Sequence, residues 1–480
     1  MVCTVVRVFL CAFFCSVSLG IAWADGAVYA MTNALDNNQV LVYHRAADGS
    51  LTLAQTMATG GGGSGLQLAG VDALGSAGSI QLDAAHHFLF VVNTESASEN
   101  NGAGAYNTDC QQGTITSFRV AADGTLTFAD RVFSRGLFPN SLAVKTILVP
   151  AQPDEDDKGN GLHTGDKDDT PQPRTLVYVL NAGGPEAPAI CHLTPGTANT
   201  PNIIGFRVDD SGHMIPLDST QPIDPGPATG PDGGVSCTAA AAQGFSALTG
   251  APAADFQCGL NPPSFPRSPA QVGFTPNGSQ LVVTVKGTNA IYVFPVDQNG
   301  IAGTPTITQA PATPLLPPAL PTFFGFAFDN NGDLLVTETF GSATSIPKGG
   351  AGALSSFSIN ANGLSPISSH VADGGTAACW IAVDPITGFA YVTNNLSASI
   401  SSYTVGTNGT VTLVNGIAGQ GAGPNDVAVA SEGSNSFLYV VDAGSGTVGA
   451  FHINGDGSLT PITGGSGLPA GRSAQGLAAY

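Results

Sequence analysis

The chain has 480 residues, of which 63 are Gly and 33 Pro; only 10% are charged and 42% are hydrophobic. That profile excludes disorder, which goes with apolar depletion and high charge density, and suits many short strands joined by tight turns. The formal charge of −20, from 14 Lys and Arg against 34 Asp and Glu, excludes nucleic acid and anionic lipid as partners.

The chain opens with Arg7, an apolar run over 8–23, and the small-x-small pattern Ala22-Trp23-Ala24. This predicts a secretory signal over 1–24, cut before Asp25, and hence a secreted or periplasmic protein. An N-terminal membrane anchor is the competing reading, disfavoured because a bilayer span needs about 20 apolar residues.

From there one pattern repeats. Its clearest copy reads Trp380-Ile381-Ala382-Val383, a turn at Thr387-Gly388, then Ala390-Tyr391-Val392-Thr393-Asn394. Ser399-Ile400-Ser401-Ser402-Tyr403-Thr404-Val405, a turn at Asn408-Gly409 and Thr410-Val411-Thr412-Leu413 complete it. Four strands in about 35 residues make one propeller blade. Copies begin near Val28, Phe90, Val177, Val282, Leu335, Tyr391 and Tyr439, which predicts seven blades.

The turn between third and fourth strands recurs as Asp48-Gly49, Asp123-Gly124, Ser211-Gly212, Asn299-Gly300, Asn362-Gly363, Asn408-Gly409 and Asp456-Gly457. These pairs fit the positive φ of two-residue hairpins. The first copy lacks an inner strand and the chain ends Ala474-Gln475-Gly476-Leu477-Ala478-Ala479-Tyr480, an inner strand lacking a blade. Residues 474–480 are therefore expected to complete blade one and remove the free edges. The expectation is all-β: one seven-bladed propeller of four-stranded antiparallel blades over 25–480.

Extra residues are expected at 95–112, 146–174, 183–200 and 218–267. All but the 146–174 insertion fall in connections on one face of the disc, so that they could cap the channel. Four cysteines, Cys110, Cys191, Cys237 and Cys258, lie in these same-face segments. Export favours disulfides; four cysteines allow three pairings, and Cys110 with Cys191 and Cys237 with Cys258 is preferred. Cys379 is left over and reads as a buried thiol. No C-x-x-C spacing or H-E-x-x-H motif supports a metal, and no cofactor is expected. The acidic 154–169 stretch has calcium-type ligands but lacks the D-x-D-x-D-G order.

Tyr391-Val392-Thr393-Asn394 followed by Ile400-Ser401-Ser402-Tyr403 resembles the YVTN-type and lactonase-type seven-bladed propellers, over nearly the whole chain beyond the signal. That superfamily includes 6-phosphogluconolactonase-like and carboxymuconate-cyclising enzymes and many exported propellers without assigned chemistry. Its enzyme-like members carry P-R-H on an inner strand and N-E-L after the second, supplying a cation, an imidazole and a carboxylate for lactone chemistry. The matching positions here are Ala378-Cys379-Trp380 and Asn394-Asn395-Leu396; a further P-H-S position reads Pro139-Asn140-Ser141. Every titratable group of that pattern is replaced.

The resemblance thus implies a lactonase-like propeller without the usual site, binding a small molecule or protein on its capped face, with no membrane span, as a monomer. The alternatives are a divergent lactone hydrolase or cyclase acting on a non-phosphorylated substrate, and a structural cell-surface propeller. For a divergent enzyme, Glu338, at the end of the second strand of blade five, is the acid-base candidate. Lys286 stands at the matching end of blade four, to pair with it or hold an anion. Asn140, Glu186, His192, Asn394 and Asn395 are the candidate ligand-binding residues.

Overall fold

In a computed structural model, the described residues are 26–34, 37–65, 72, 74–85, 87–96, 112–149, 172–183, 200–224, 268–286, 288–310, 322–339, 349–360, 363–471 and 474–480. They form seven four-stranded antiparallel sheets. Blade one joins the C-terminal strand Leu477–Ala479 to Gly26–Met31, Gln39–Arg45 and Leu51–Ala58. From the axis outward, blade two is Ile80–Asp83, Phe88–Asn93, Gln112–Val120 and Leu126–Leu137; blade three is Pro139–Val149, Gln172–Asn181, Asn202–Val208 and Met214–Pro222. Blade four is Pro269–Phe274, Gln280–Val285, Ala290–Pro295 and Thr306–Gln309, and blade five is Phe323–Phe328, Leu334–Glu338, Ala353–Asn360 and Gly363–Ala372. Blade six is Ala378–Val383, Ala390–Asn394, Ser399–Val405 and Val411–Gln420; blade seven is Pro424–Glu432, Asn435–Asp442, Thr447–Ile453 and Leu459–Ser466.

The inner strands of successive blades pack together around the whole ring. The alternation of each strand sends apolar side chains to both blade faces, and the result is one apolar core per blade interface. Tyr391 and Ile400 of blade six, for example, pack on Leu438, Val440 and Phe451 of blade seven. Ala77, Ala270, Phe324, Ala377, Cys379 and Trp380 form a separate core on the axis.

The ring closes as the sequence predicts. Val28, Tyr29 and Ala30 pair with Ala479, Ala478 and Leu477. The buried Arg45 donates through Nε to the Tyr480 carbonyl at 3.1 Å and pairs with Glu432 of blade seven at 3.0 Å, tying the closing strand to both its neighbours.

The tyrosine of the repeat joins one blade to the next. Tyr29, Tyr178 and Tyr439 donate their hydroxyls to the carbonyls of Gly124, Gly300 and Gly49 at 2.7–2.8 Å, and Tyr391 donates to Gly457 at 3.3 Å. Each acceptor is the turn glycine of the following blade, with φ near +80°. Ser117 does the same to Gly212 at 2.7 Å.

Outside blade five, where Asn360 pairs with Gly363, these turns differ from two-residue hairpins. In those six only the glycine of the turn pair has positive φ, and in blade one the bonds Ala46 N to Ser50 O and Gly49 N to Ala46 O enclose three residues. This is a type I turn followed by a left-handed glycine, and Asp48 Oδ1 accepts the Ser50 amide at 2.9 Å to hold it.

The blade-three strands also run further than the sequence suggests, to Val149 and from Gln172. Thr146 and Thr175 are register partners whose hydroxyls lie 2.8 Å apart, so this insertion is narrower than 146–174. Likewise the outer strand of that blade continues to Pro222. The 1–24 segment, the acidic 154–169 stretch, Cys110, Cys191, Cys237 and Cys258 lie outside the described residues. Cys379 is a buried free thiol.

Candidate functional site

The axis collects groups that are far apart in sequence. Six of the seven inner strands follow a residue of positive φ: Gly78, Phe138, Thr322, Ala377, Gly423 and Gly476. In three blades the second and third residues after that residue are buried polar or sulfur-bearing side chains: Asn140 and Ser141, Cys379 and Trp380, and Asn425 and Asp426; Gln475 of the closing segment, just before Gly476, is buried with them. Lys286 arrives from the end of the second strand of blade four.

Across this ring lies a strap from the blade-one to blade-two connection, at residues 74–77. Lys286 Nζ donates to the Gly75 carbonyl and sits 5.0 Å over the Phe324 ring. Trp380 Nε1 and Gln475 Nε2 both donate to the Ser76 carbonyl, at 3.0 and 2.5 Å. Gln475 Oε1 accepts the Leu74 amide at 2.9 Å, Ser76 Oγ donates to the Asn140 carbonyl at 2.7 Å, and Ala77 N donates to the Ala270 carbonyl at 3.0 Å. Asp72 caps the strap by accepting the Gly75 amide at 2.8 Å.

Burial dominates the electrostatics. It raises the Asp72 carboxyl, with the nearby Lys286 charge opposing, and it lowers Lys286, with Asp72 opposing. Asp426, which accepts the Gly476 amide at 2.7 Å, is pushed up to about 7 by burial and by the Asp72 charge. Burial also pushes the Cys379 thiol well up, so it is no nucleophile at neutral pH.

The other expected residues lie elsewhere. Glu338 is fully buried in blade five; Ser355 Oγ donates to Oε1, and His370 Nδ1 lies 2.5 Å from Oε2. His370 holds a left-handed φ of +56° at a bulge of the outer strand, and its amide donates to Ser355 Oγ at 3.0 Å. Glu338 and Lys286 therefore serve separate clusters. Asn394, at the register position of Glu338, donates to Ser401 Oγ at 2.8 Å. Asn395 donates to Asn425 Oδ1, and Asn140 to the Pro269 carbonyl at 3.0 Å. Glu186 and His192 lie outside the described residues.

Asp72, Asp426, Gln475 and His370 escaped the sequence reading. Pro424-Asn425-Asp426 carries a signal, standing in register with Pro139-Asn140-Ser141. His370 carries none, because a bulge of an outer strand brings it to Glu338.

Residues 337–464 match the family model of the lactonase, 7-bladed β-propeller. The chain is a seven-bladed β-propeller in which that stretch is similar to the lactonase family. Similar solved structures include the periplasmic gluconolactonase of Pseudomonas aeruginosa, at 14% identity and a TM-score of 0.56 over 95% of this chain and 99% of that one. A Bacteroides fragilis protein provisionally described as a 6-phosphogluconolactonase is 14% identical, with a TM-score of 0.54 over 96% and 99% of the two chains. At such identity the likeness is one of fold. A search of the curated proteins returned no match. Among the described residues no group of three or more His, Cys, Asp or Glu is arranged to hold a metal ion, and no helix is long and apolar enough to cross a membrane.

Proposed function

We propose that this lactonase-like propeller is exported and binds a small molecule or protein through its channel face, without the family's usual lactonase chemistry. The observation that carries this reading is the fate of the positions where the resemblance expects Arg, His, Glu and His. They hold Cys379, Trp380, Asn395 and Asn140. The two amides donate to Asn425 and Pro269, the indole donates to Ser76, and the thiol is buried. None of these groups can move a proton near neutral pH.

Export rests on the 1–24 segment, with the P. aeruginosa periplasmic gluconolactonase as a structural relative. The preferred disulfides, Cys110 with Cys191 and Cys237 with Cys258, belong to the same reading. A second reading, a divergent lactone hydrolase or cyclase, is favoured by one observation: the buried Glu338–His370 pair joins a carboxylate to an imidazole.

Calorimetric titration of the purified protein with γ- and δ-lactones, with released acid followed in parallel, separates the two. Binding without acid release is the expected result. Catalytic release that disappears in Glu338→Gln would establish the hydrolase instead.

A further inference from the structure

The register of blade two sets three exposed side chains in one row. Phe118, Thr116 and Thr114 of the third strand pair with Phe128, Arg131 and Phe133 of the outer strand. Register partners share a face, and successive positions on one face lie about 6.5 Å apart, so Arg131 stands midway between the two phenylalanines. That face looks toward blade one: Thr116 Oγ1 donates to the Thr59 carbonyl at 2.8 Å, and Arg131 Nη1 fills the space over Gly60, where an added Cβ would stand 2.4 Å from it. Both rings are about half exposed, Phe128 at 54% and Phe133 at 55%, and Phe128 is backed edge-on by the buried Phe118 at 6.4 Å.

The blade fold does not ask for this row. The equivalent positions are Leu53, Thr56 and Ala58 in blade one and Pro216, Thr220 and Pro222 in blade three, none of them aromatic or charged. Nor is the Arg131 guanidinium used elsewhere: it makes no ion pair or hydrogen bond among the described residues. The carboxylate beside it in sequence, Asp130, accepts the amides of Arg131 and of Met214 in blade three, at 2.8 and 2.9 Å. The exposed Arg and Lys side chains among the described residues are Arg119, Arg131, Arg135 and Arg207, all on blades two and three. Charges further off than a screening length of about 8 Å count for little, so this rim is locally cationic on an acidic chain.

We propose that Phe128, Arg131 and Phe133 form a docking strip for an acidic glycan, an oligosaccharide of uronic acid residues, on the rim between blades one and two. The apolar faces of two sugar rings lie on the phenylalanines, and a carboxylate between them takes the Arg131 fork in paired hydrogen bonds. A polypeptide added as a further strand fits less well, because the Arg131 amide, at the centre of the strip, is already held by Asp130. A globular partner needs a wide patch with buried anchors, whereas this is a single row of side chains. The strip lies apart from the channel face and makes no use of the axial residues.

Calorimetric titration of the full chain with oligogalacturonate and with oligomannuronate tests this directly. Binding of at least one of them is expected, weakened at least about tenfold by Arg131→Met, about two- to tenfold by Phe128→Ala or Phe133→Ala, and progressively by salt. Leu53→Ala, at the equivalent exposed position of blade one, should bind as the wild type does, and Arg131→Met should keep the wild-type urea midpoint because its side chain is exposed. An uncharged cello-oligosaccharide should bind at least about tenfold more weakly for want of the carboxylate. Absence of binding by both uronates, or binding that Arg131→Met leaves unchanged, would overturn the proposal. Polyglutamate that binds as tightly as the uronates would contradict it as well, by giving the strip to an acidic polypeptide.

Discussion

Tyr439 donates its hydroxyl to the carbonyl of Gly49 at 2.8 Å, across the seam where the last blade meets the first. The same bond recurs from Tyr29, Tyr178 and Tyr391, which gives the tyrosine of the repeat a physical purpose. Its ring fills an interblade core and its hydroxyl satisfies a turn carbonyl of the neighbouring blade.

Tyr439→Phe keeps the ring and removes that hydroxyl. A lost hydrogen bond that leaves a buried carbonyl unmet costs about 1–3 kcal/mol, so the urea midpoint should fall. An unchanged midpoint would mean that the clasp adds nothing at the seam.

Gly49→Ala attacks the same bond from the other side. The residue has φ +81°, and a Cβ there would stand 2.3 Å from the Phe437 ring. A left-handed conformation alone costs a non-glycine residue about 1–2 kcal/mol, so this substitution should lower the midpoint more than Tyr439→Phe does. Circular dichroism melts of the two variants compare them.

Stability should fall as pH rises from 5 to 8. Burial pushes Asp426 and Asp442 up to about 7, against about 3.9 for an unfolded Asp. The native state therefore binds more protons in this window. The stabilisation is complete below the unfolded value and is lost as pH climbs through 7. Lys286, lowered by burial, acts with the opposite sign on the alkaline side. Asp426→Asn keeps an oxygen for the Gly476 amide and should remove roughly half of the slope shared with Asp442; an unaltered slope by scanning calorimetry would contradict the assignment.

His370→Ala strips the buried Glu338 carboxylate of one of its two partners. Hydrogen bonds to charged groups contribute about 1.5–3 kcal/mol, and a loss of that order is expected in urea unfolding. Glu338→Gln, which can still accept from Ser355, should lose less.

The blades were legible because their grammar is local. Alternation sets each strand, a glycine after Asp, Asn or Ser sets each turn, and the unmatched first and last strands require each other. The site was less legible, since it is assembled at the axis from one or two residues per blade. Lys286 stood out as a rare cation, whereas Gln475 and Asp72 read as ordinary polar residues until the strap brings them together. Glu338 was visible as the one Glu where other blades end the second strand in Asn or Asp, as at Asn181, Asn394 and Asp442. Its partner His370 was hidden by the bulge, because an irregularity in register breaks the two-residue period on which strand reading depends.

The most direct test of the account is the initial rate of acid release from γ- and δ-lactones by the full-length wild-type protein, beside Lys286→Met and Glu338→Gln. The account predicts the same slope for all three as for buffer alone. A saturable rate in the wild type that either substitution abolishes would contradict it.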